Sequence, residues 1–250
     1  MKLESTKWPC KRGTNHTVVE AIFDHDDIAE ATEIAAAKMH YTNSHNPGGI
    51  VRPPEVIKNR IIAGKLADFA VREMISRCID RWHLGSDFQV FEYDSCRTDN
   101  FEYRDPCDLE LTNKRSQQSQ TIEVRSSFCY RLAPVTKITE KLSVYGWYTS
   151  ENKPIEPPRD WYFQVVYYLR PRDITDERGI KVDIFEDRIE ADSVTAYVVG
   201  GASQEMLHNK GINRTDQDGA NYQAIFPICQ ANDCRAMLNA IFGRNRQTGR

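Results

Sequence analysis

One long helical pattern does most to limit what this chain can fold into. Over residues 55–83, stepping 100° per residue brings Ile57, Ile61, Gly64, Val71, Ile75, Ile79 and Trp82 to within about 40° of a single line. Pro54 suits the first turn of such a helix and Gly85 its stop. An apolar stripe of this length must be buried against another element, and the segments that follow have strand character. Residues 87–94 (DFQVFEYD) alternate and are rich in aromatics, and 107–111 and 121–130 are strand-like. Residues 141–149 and 161–169 read as strands joined by a proline-rich turn, and the C-terminal part as strand 193–199, helix 202–209, strand 221–227 and helix 231–242, with Gly243 as its stop. Upstream, residues 1–17 are polar and expected to be loose, residues 18–39 are helical in their later part, and 40–54 form a loop. The adjacent acids Asp24, Asp26 and Asp27 fit a helix start, where they complement the dipole. The expected fold is α/β (α+β), a central mixed β-sheet flanked by helices, with residues 1–54 a helical and loop extension of a main domain over 55–250.

Composition narrows the class further. The chain has 250 residues, 40% apolar and 28% charged, which suits a globular protein and excludes wholesale disorder. No apolar run approaches the ~18–20 residues of a membrane span, and the first residues lack the apolar core of a signal peptide. A cytoplasmic protein with no membrane partner is expected. The 7 cysteines form no C-x-x-C pair and read as reduced thiols; Cys229 and Cys234 lack the partners of a zinc site. The net charge is −3, yet residues 114–172 hold ten Lys/Arg against five Asp/Glu, while 173–192 hold eight acids against three bases. One face could therefore attract phosphates.

Three acids stand where apolar residues are expected. Asp68 lies on the apolar line of the 55–83 helix, where a carboxylate costs several kcal/mol unless it is paired, metal-bound or open to a cleft. In residues 121–128, Ile122, Val124 and Phe128 face one side and Glu123 and Arg125 the other; in 108–111, Leu109 and Leu111 oppose Asp108 and Glu110. A hairpin turning midway between Arg115 and Ser116 would set Asp108 directly opposite Glu123. Like charges so placed repel, and either a hard divalent cation or a salt bridge to Arg125 would relieve them.

In order, these features resemble the PD-(D/E)XK, or restriction-endonuclease-like, nuclease superfamily. Arg104-Asp105-Pro106-Cys107-Asp108-Leu109-Glu110-Leu111 stands where that family has its first acid, with Asp108 the matching residue. After fourteen residues, Ile122-Glu123-Val124-Arg125-Ser126-Ser127 stands where the family has an acid two residues before a lysine. Gly64-Lys65-Leu66-Ala67-Asp68 resembles its helix motif, with Asp68 in place of the more usual glutamate. The likeness covers residues 55–130; beyond that it rests on element order.

The resemblance implies a restriction-endonuclease-like core and a metal-dependent endonuclease acting on DNA, in a restriction or antiviral defence setting, where cutting both strands with one site per chain would call for a homodimer.

 The resemblance also implies Mg²⁺ (or Mn²⁺) held by Asp68, Asp108, Glu123 and the Val124 carbonyl, with Asp108, Glu123 and Arg125 as catalytic residues. Lys65, Lys114, Arg115, Ser126 and Ser127 would contact the nucleic acid. One departure matters: Arg125 replaces the family's lysine, and a guanidinium stays protonated at working pH, so it can orient water or stabilise charge but cannot act as a base. Either a metal-bound hydroxide is then the nucleophile without a lysine base, or Lys65, Lys137 or Lys141 fills that role, or catalysis has been lost. The main alternative is a catalytically inactive nucleic-acid-binding or assembly module of the same fold. A third reading is a ligand-sensing domain using the Gly200-Gly201 turn, and Gln164 is a further candidate contact.

Overall fold

The computed structural model describes residues 1–10, 13–45, 51–99, 101–103, 105–129, 133–149, 156–168, 175–176, 179–180, 194–215 and 219–243. Most of the acidic stretch 173–192 and several bases of the preceding block lie outside the described residues.

Alternating segments build a seven-stranded sheet. Its strands are β1 (Lys2–Pro9), β2 (Asn15–Phe23), β3 (Phe88–Glu92), β4 (Leu109–Asn113), β5 (Gln118–Cys129), β7 (Trp161–Tyr168) and β10 (Val194–Ser203). The spatial order is β1-β2-β10-β7-β5-β4-β3; β5 and β7 run parallel and every other neighbouring pair is antiparallel. A smaller sheet holds β6 (Val144–Tyr148), β11 (Ile212–Thr215) and β12 (Asn221–Ile225), in the order β11-β12-β6. β8 (Thr175–Asp176) and β9 (Gly179–Ile180) make a short ribbon. The helices are α1 (His25–Lys38), α2 (Pro54–Arg81), α3 (Tyr93–Cys96), α4 (Ile138–Lys141), α5 (Gln204–Lys210) and α6 (Cys234–Ile241).

The large sheet is apolar on both faces. On one face Phe23, Leu109, Leu111, Ile122, Val124, Phe163, Val165 and Val198 pack with Ile28 and Ala31 of α1, Leu66 and Phe69 of α2 and Met237 of α6. On the other, Trp8, Val18, Tyr162, Val166 and Val199 pack with Ile138 of α4, Leu207 of α5 and Val144 and Ile225 of the small sheet. The chain is thus a mixed α+β protein with a large central sheet flanked by helices, as its element order predicts.

Three expectations change. Residues 2–9 and 15–17 are paired strands and not loose, and the sheet runs across the expected division at residue 54, because β1 and β2 pair into it. β1 is an edge strand with mostly exposed side chains, so its polar composition is what an edge requires and hides its pairing. Second, α2 ends at Arg81, before Gly85: His83 takes the left-handed conformation (φ 55°) and Leu84 N donates to Ile79 O at 2.8 Å. Third, the Gly200-Gly201 turn is occupied by backbone. Gly201 exchanges hydrogen bonds with Asn232 at 2.9 and 3.0 Å, at a bulge in the β10–β7 ladder. A Cβ at Gly201 would lie 2.0 Å from Tyr162 O, and one at Gly200 (φ +99°) 2.1 Å from Asn232 O. These glycines admit a neighbouring chain segment where a phosphate was the alternative. Gly201→Ala should lower stability by about 2 kcal/mol or more, whereas Gly64→Ala, whose Cβ meets nothing within 4 Å, should be neutral or raise it by up to about 1 kcal/mol. Urea unfolding of the two variants side by side checks both.

The acids at the start of α1 act as expected: Asp27 N donates to the Asp24 carboxylate at 3.1 Å and Asp24 N to that of Asp27 at 3.0 Å, a reciprocal cap.

Candidate functional site

α2 is buried on all sides through its middle, from Lys65 to Val71, because α1 and the large sheet enclose it. Asp68 is therefore 5% exposed. Its carboxylate lies 3.0 Å from Lys65 Nζ, one turn earlier on the helix. The same ammonium reaches Glu92 at the end of β3 at 2.9 Å and also Asp94 in α3. Arg72 pairs with the second oxygen of Glu92 at 2.8 Å; Lys38 at 3.2 Å and Arg97 at 3.1 Å bind Asp94. Lys65 is thus the centre of a buried ion network, 4% exposed, and not a surface contact for nucleic acid. Burial works against its charge, but the three carboxylates outweigh it and hold the ammonium above its ordinary range. So placed, it cannot serve as a base.

The hairpin register is as the turn position predicts: Leu109 pairs with Ile122 and Asn113 with Gln118, so Asp108, one residue before β4, comes level with Glu123. Asp108 accepts a hydrogen bond from Val124 N at 2.7 Å. Glu123 meets Arg125 at 3.1 Å and Arg159 at 3.4 Å. The Arg125 guanidinium in turn binds Glu156, donates to Gly146 O at 3.2 Å, and lies 5.2 and 5.6 Å from the rings of Tyr148 and Tyr222. It is enclosed by the small sheet and held charged by Glu123 and Glu156 in spite of burial. The salt bridge from Glu123 to Arg125 that the alternation allowed is formed.

Asp68, Asp108 and Glu123 remain electrically linked. Burial pushes each carboxyl up to about 7. After burial, the charge of Asp68 is what raises Asp108, and the charge of Asp108 is what raises Glu123. They form a chain with Asp108 in the middle, not a tight triangle. Alternation explains the spread: Ile122 and Val124 join the core that contains α2, so Glu123 between them projects from the opposite face of β5. Among the described residues, the metal-ligating side chains that all converge within 4.8 Å of one another are Cys10, His16 and Cys229, not these acids.

The other expected contacts disperse. Lys114 and Arg115 sit on the β4–β5 turn, beyond the five residues of β4 from Asp108, roughly 20 Å at the usual rise per residue. There Lys114 donates to Gly85 O at 2.9 Å and exposed Arg115 pairs with Asp87 at 2.7 Å. Ser126 lies in phase with Val124, on the α2 side. Ser127 is tied at 3.1 Å to Gln164, a fully buried side chain paired in register with Arg125; Gln164 also donates to Arg125 O at 3.1 Å and accepts from Tyr145 N at 3.3 Å. Gln164 therefore braces β5 against β7 and the small sheet. Lys137 pairs with Glu140 at 3.1 Å beside α4, on the other side of the sheet from α2.

Sequence reasoning missed Glu92, although its signal was present: it continues the Phe88–Val90 phase of β3, a carboxylate in line with apolar residues just as Asp68 is. Glu156 and Arg159 lie in a proline-rich segment with no period to betray them.

Fold and site together define a mixed α+β protein whose central sheet carries a buried carboxylate chain braced by Lys65, Arg125 and Arg159. No family model and no solved structure matches the chain. It is similar to an uncharacterized protein, MJECS01, of Methanocaldococcus jannaschii: 24% identical over 248 residues, spanning 93% of this chain and 88% of that protein. Among the described residues, no helix is long and apolar enough to cross a membrane.

Proposed function

We propose that the chain is a metal-dependent nuclease hydrolysing phosphodiester bonds of DNA, with Asp108 and Glu123 at the reaction centre. The observation that carries this reading is the carboxylate chain: three buried acids, each pushed up to about 7, mainly by burial, which Lys65, Arg125 and Arg159 offset only in part. An all-oxygen donor set of this kind fits a hard divalent cation such as Mg²⁺ or Mn²⁺, which often binds one or two carboxylates and keeps several waters. Asp108 and Glu123 would hold it, with Asp68 and the Val124 carbonyl nearby. When bound, the cation would neutralise charge on the scissile phosphate and lower the pKa of a water. Val124 N orients Asp108, and Arg125 and Arg159 fix the carboxylate of Glu123. The element order of α2, the β3-β4-β5 meander and the parallel strand β7 also supports the family resemblance.

A specific observation favours the second reading, an inactive nucleic-acid-binding module. Two guanidinium groups already neutralise Glu123, and Lys65 already pairs with Asp68. Supercoiled plasmid incubated with the full chain and Mg²⁺ or Mn²⁺ separates the two. Nicking that disappears in Asp108→Asn and Glu123→Gln, with folding intact by circular dichroism, is the expected result. Salt-sensitive DNA binding without cleavage would establish the module, and neither binding nor cleavage would remove both readings.

A further inference from the structure

The N-terminal hairpin and a C-terminal turn bring together a second set of ligand atoms, unrelated to the acids. Trp8 pairs with His16 across β1 and β2, and Trp8 and Val18 belong to the core on the small-sheet side. By strand alternation Cys10 and His16 project toward that side as well. At the end of the hairpin Cys10 N donates to Thr14 O at 2.8 Å and Gly13 has φ +74°. Cys229 arrives from the single turn Ile228–Gln230, anchored in the same core by Ile228. The two sulfurs and an imidazole nitrogen all lie within 4.8 Å of one another, with Cys10 and His16 buried and Cys229 half-buried. In the structure Cys10 and Cys229 are joined as a disulfide, which corrects the expectation of reduced thiols throughout.

His16 supplies the independent observation. Its Nε2 lies 2.7 Å from Val199 O. A carbonyl only accepts, so Nε2 carries the proton and Nδ1 of the neutral ring keeps its lone pair. A backbone carbonyl that fixes the far nitrogen is the arrangement that orients metal-ligating histidines. Two thiolates and an imidazole form a soft donor set suited to Zn²⁺, and two thiolates balance its charge, which suits a buried position. Tetrahedral zinc would set the sulfurs about 3.8 Å apart, a spacing the cluster can hold once the disulfide opens.

We infer that, once reduced, Cys10, His16 and Cys229 form a zinc site with three protein ligands, and that disulfide and zinc complex are alternative states of the same cysteine pair. Opening requires a dithiol reductant. Its two thiols pass two electrons and two protons to the Cys10–Cys229 bond, leaving two protein thiols and the reductant's own disulfide. Each protein thiol then releases its proton as zinc binds, and a solvent molecule takes the fourth position on the half-buried Cys229 side. The site is separate from the acids, because β10 and β7 stand between β2 and β5, a distance of roughly 14 Å across the sheet.

The test uses the full chain, reduced with a dithiol, freed of reductant without air, and titrated with zinc alone against a chromophoric chelator. One zinc per reduced chain and none per oxidised chain is expected. Cys10→Ser, Cys229→Ser and His16→Gln should each weaken binding on the order of 100-fold or more. Cys234→Ser should bind normally, since that thiol points to Val198 O at 3.0 Å, outside the trio. Because a variant could misfold, Co²⁺ bound to the reduced wild type gives a second readout: charge-transfer bands of two thiolates are expected. A reduced chain that takes up no zinc, zinc retained in both Cys10→Ser and Cys229→Ser, or a cobalt spectrum without thiolate bands overturns the inference.

Discussion

Lys65→Met should lower the unfolding free energy by about 3–5 kcal/mol, the range for removing one partner of a buried ion pair. Methionine keeps the unbranched stem, so the change isolates the ammonium, which lies 3.0 Å from Asp68 and 2.9 Å from Glu92 and also binds Asp94. The three acids differ in what they retain. Glu92 keeps Arg72, and Asp94 keeps Lys38 and Arg97. Asp68 loses the ammonium beside it, and with a carboxyl already pushed up to about 7 it will take up a proton in the variant. Part of the loss should therefore disappear in an Asp68→Asn background. The double-mutant cycle should give a coupling of about 1 kcal/mol or more in urea unfolding. A loss below about 1 kcal/mol for Lys65→Met alone would mean that the network is held together by its arginines and that Lys65 is incidental.

How much of this could be read from the chain alone depended on whether the signal was periodic. The helical stripe located α2 and flagged Asp68, because a carboxylate in phase with Ile57, Val71 and Ile75 has no exposed face to occupy. The turn between Arg115 and Ser116 gave the β4–β5 register and so brought Asp108 level with Glu123, since one fixed turn sets every pair in a hairpin. What escaped came from long-range packing. β1 was hidden because an edge strand can be polar. The partners of Glu123 came from the 156–159 segment and the small sheet, whose positions no local pattern encodes. Nor could local pattern tell that Asp68 and Glu123 would lie on the two sides of β5: alternation gives sides within a strand but not which side a helix will cover. The pairing of Cys10 with Cys229 spans 219 positions and depends on the whole sheet being assembled.

Stability of the wild type should fall as pH rises from about 4 to about 7, the reverse of the trend that paired surface carboxylates give. Asp68 and Asp108 have an ordinary value of 3.8 and Glu123 of 4.5, and burial lifts all three to about 7 in the folded chain. Between those limits the native state holds protons that the unfolded chain has released. Unfolding then releases protons, and raising the pH favours it. The acids held below the usual range have the opposite effect in a different window. Asp24, paired with the N-terminal ammonium, and Asp94, where Lys65 and Lys38 overcome burial, withdraw their stabilisation only below about pH 4. The decline above that point therefore belongs to the carboxylate chain. For Asp108 alone, a rise from 3.8 to about 7 corresponds to at most roughly 4 kcal/mol. Asp108→Asn keeps an oxygen to accept from Val124 N and removes the charge, so it should flatten part of the slope and stabilise the protein by about 1–3 kcal/mol near pH 8. Mg²⁺ bears on the same balance: a cation that binds the ionised acids should raise the wild-type Tm near pH 8 and leave Asp108→Asn almost unmoved. Thermal unfolding of both proteins across pH, with and without Mg²⁺, measures all of these effects. A wild-type stability that climbs through the 4 to 7 window would mean that Lys65, Arg125 and Arg159 already hold the three acids ionised, and the electrostatic reason for a metal at this position would be gone.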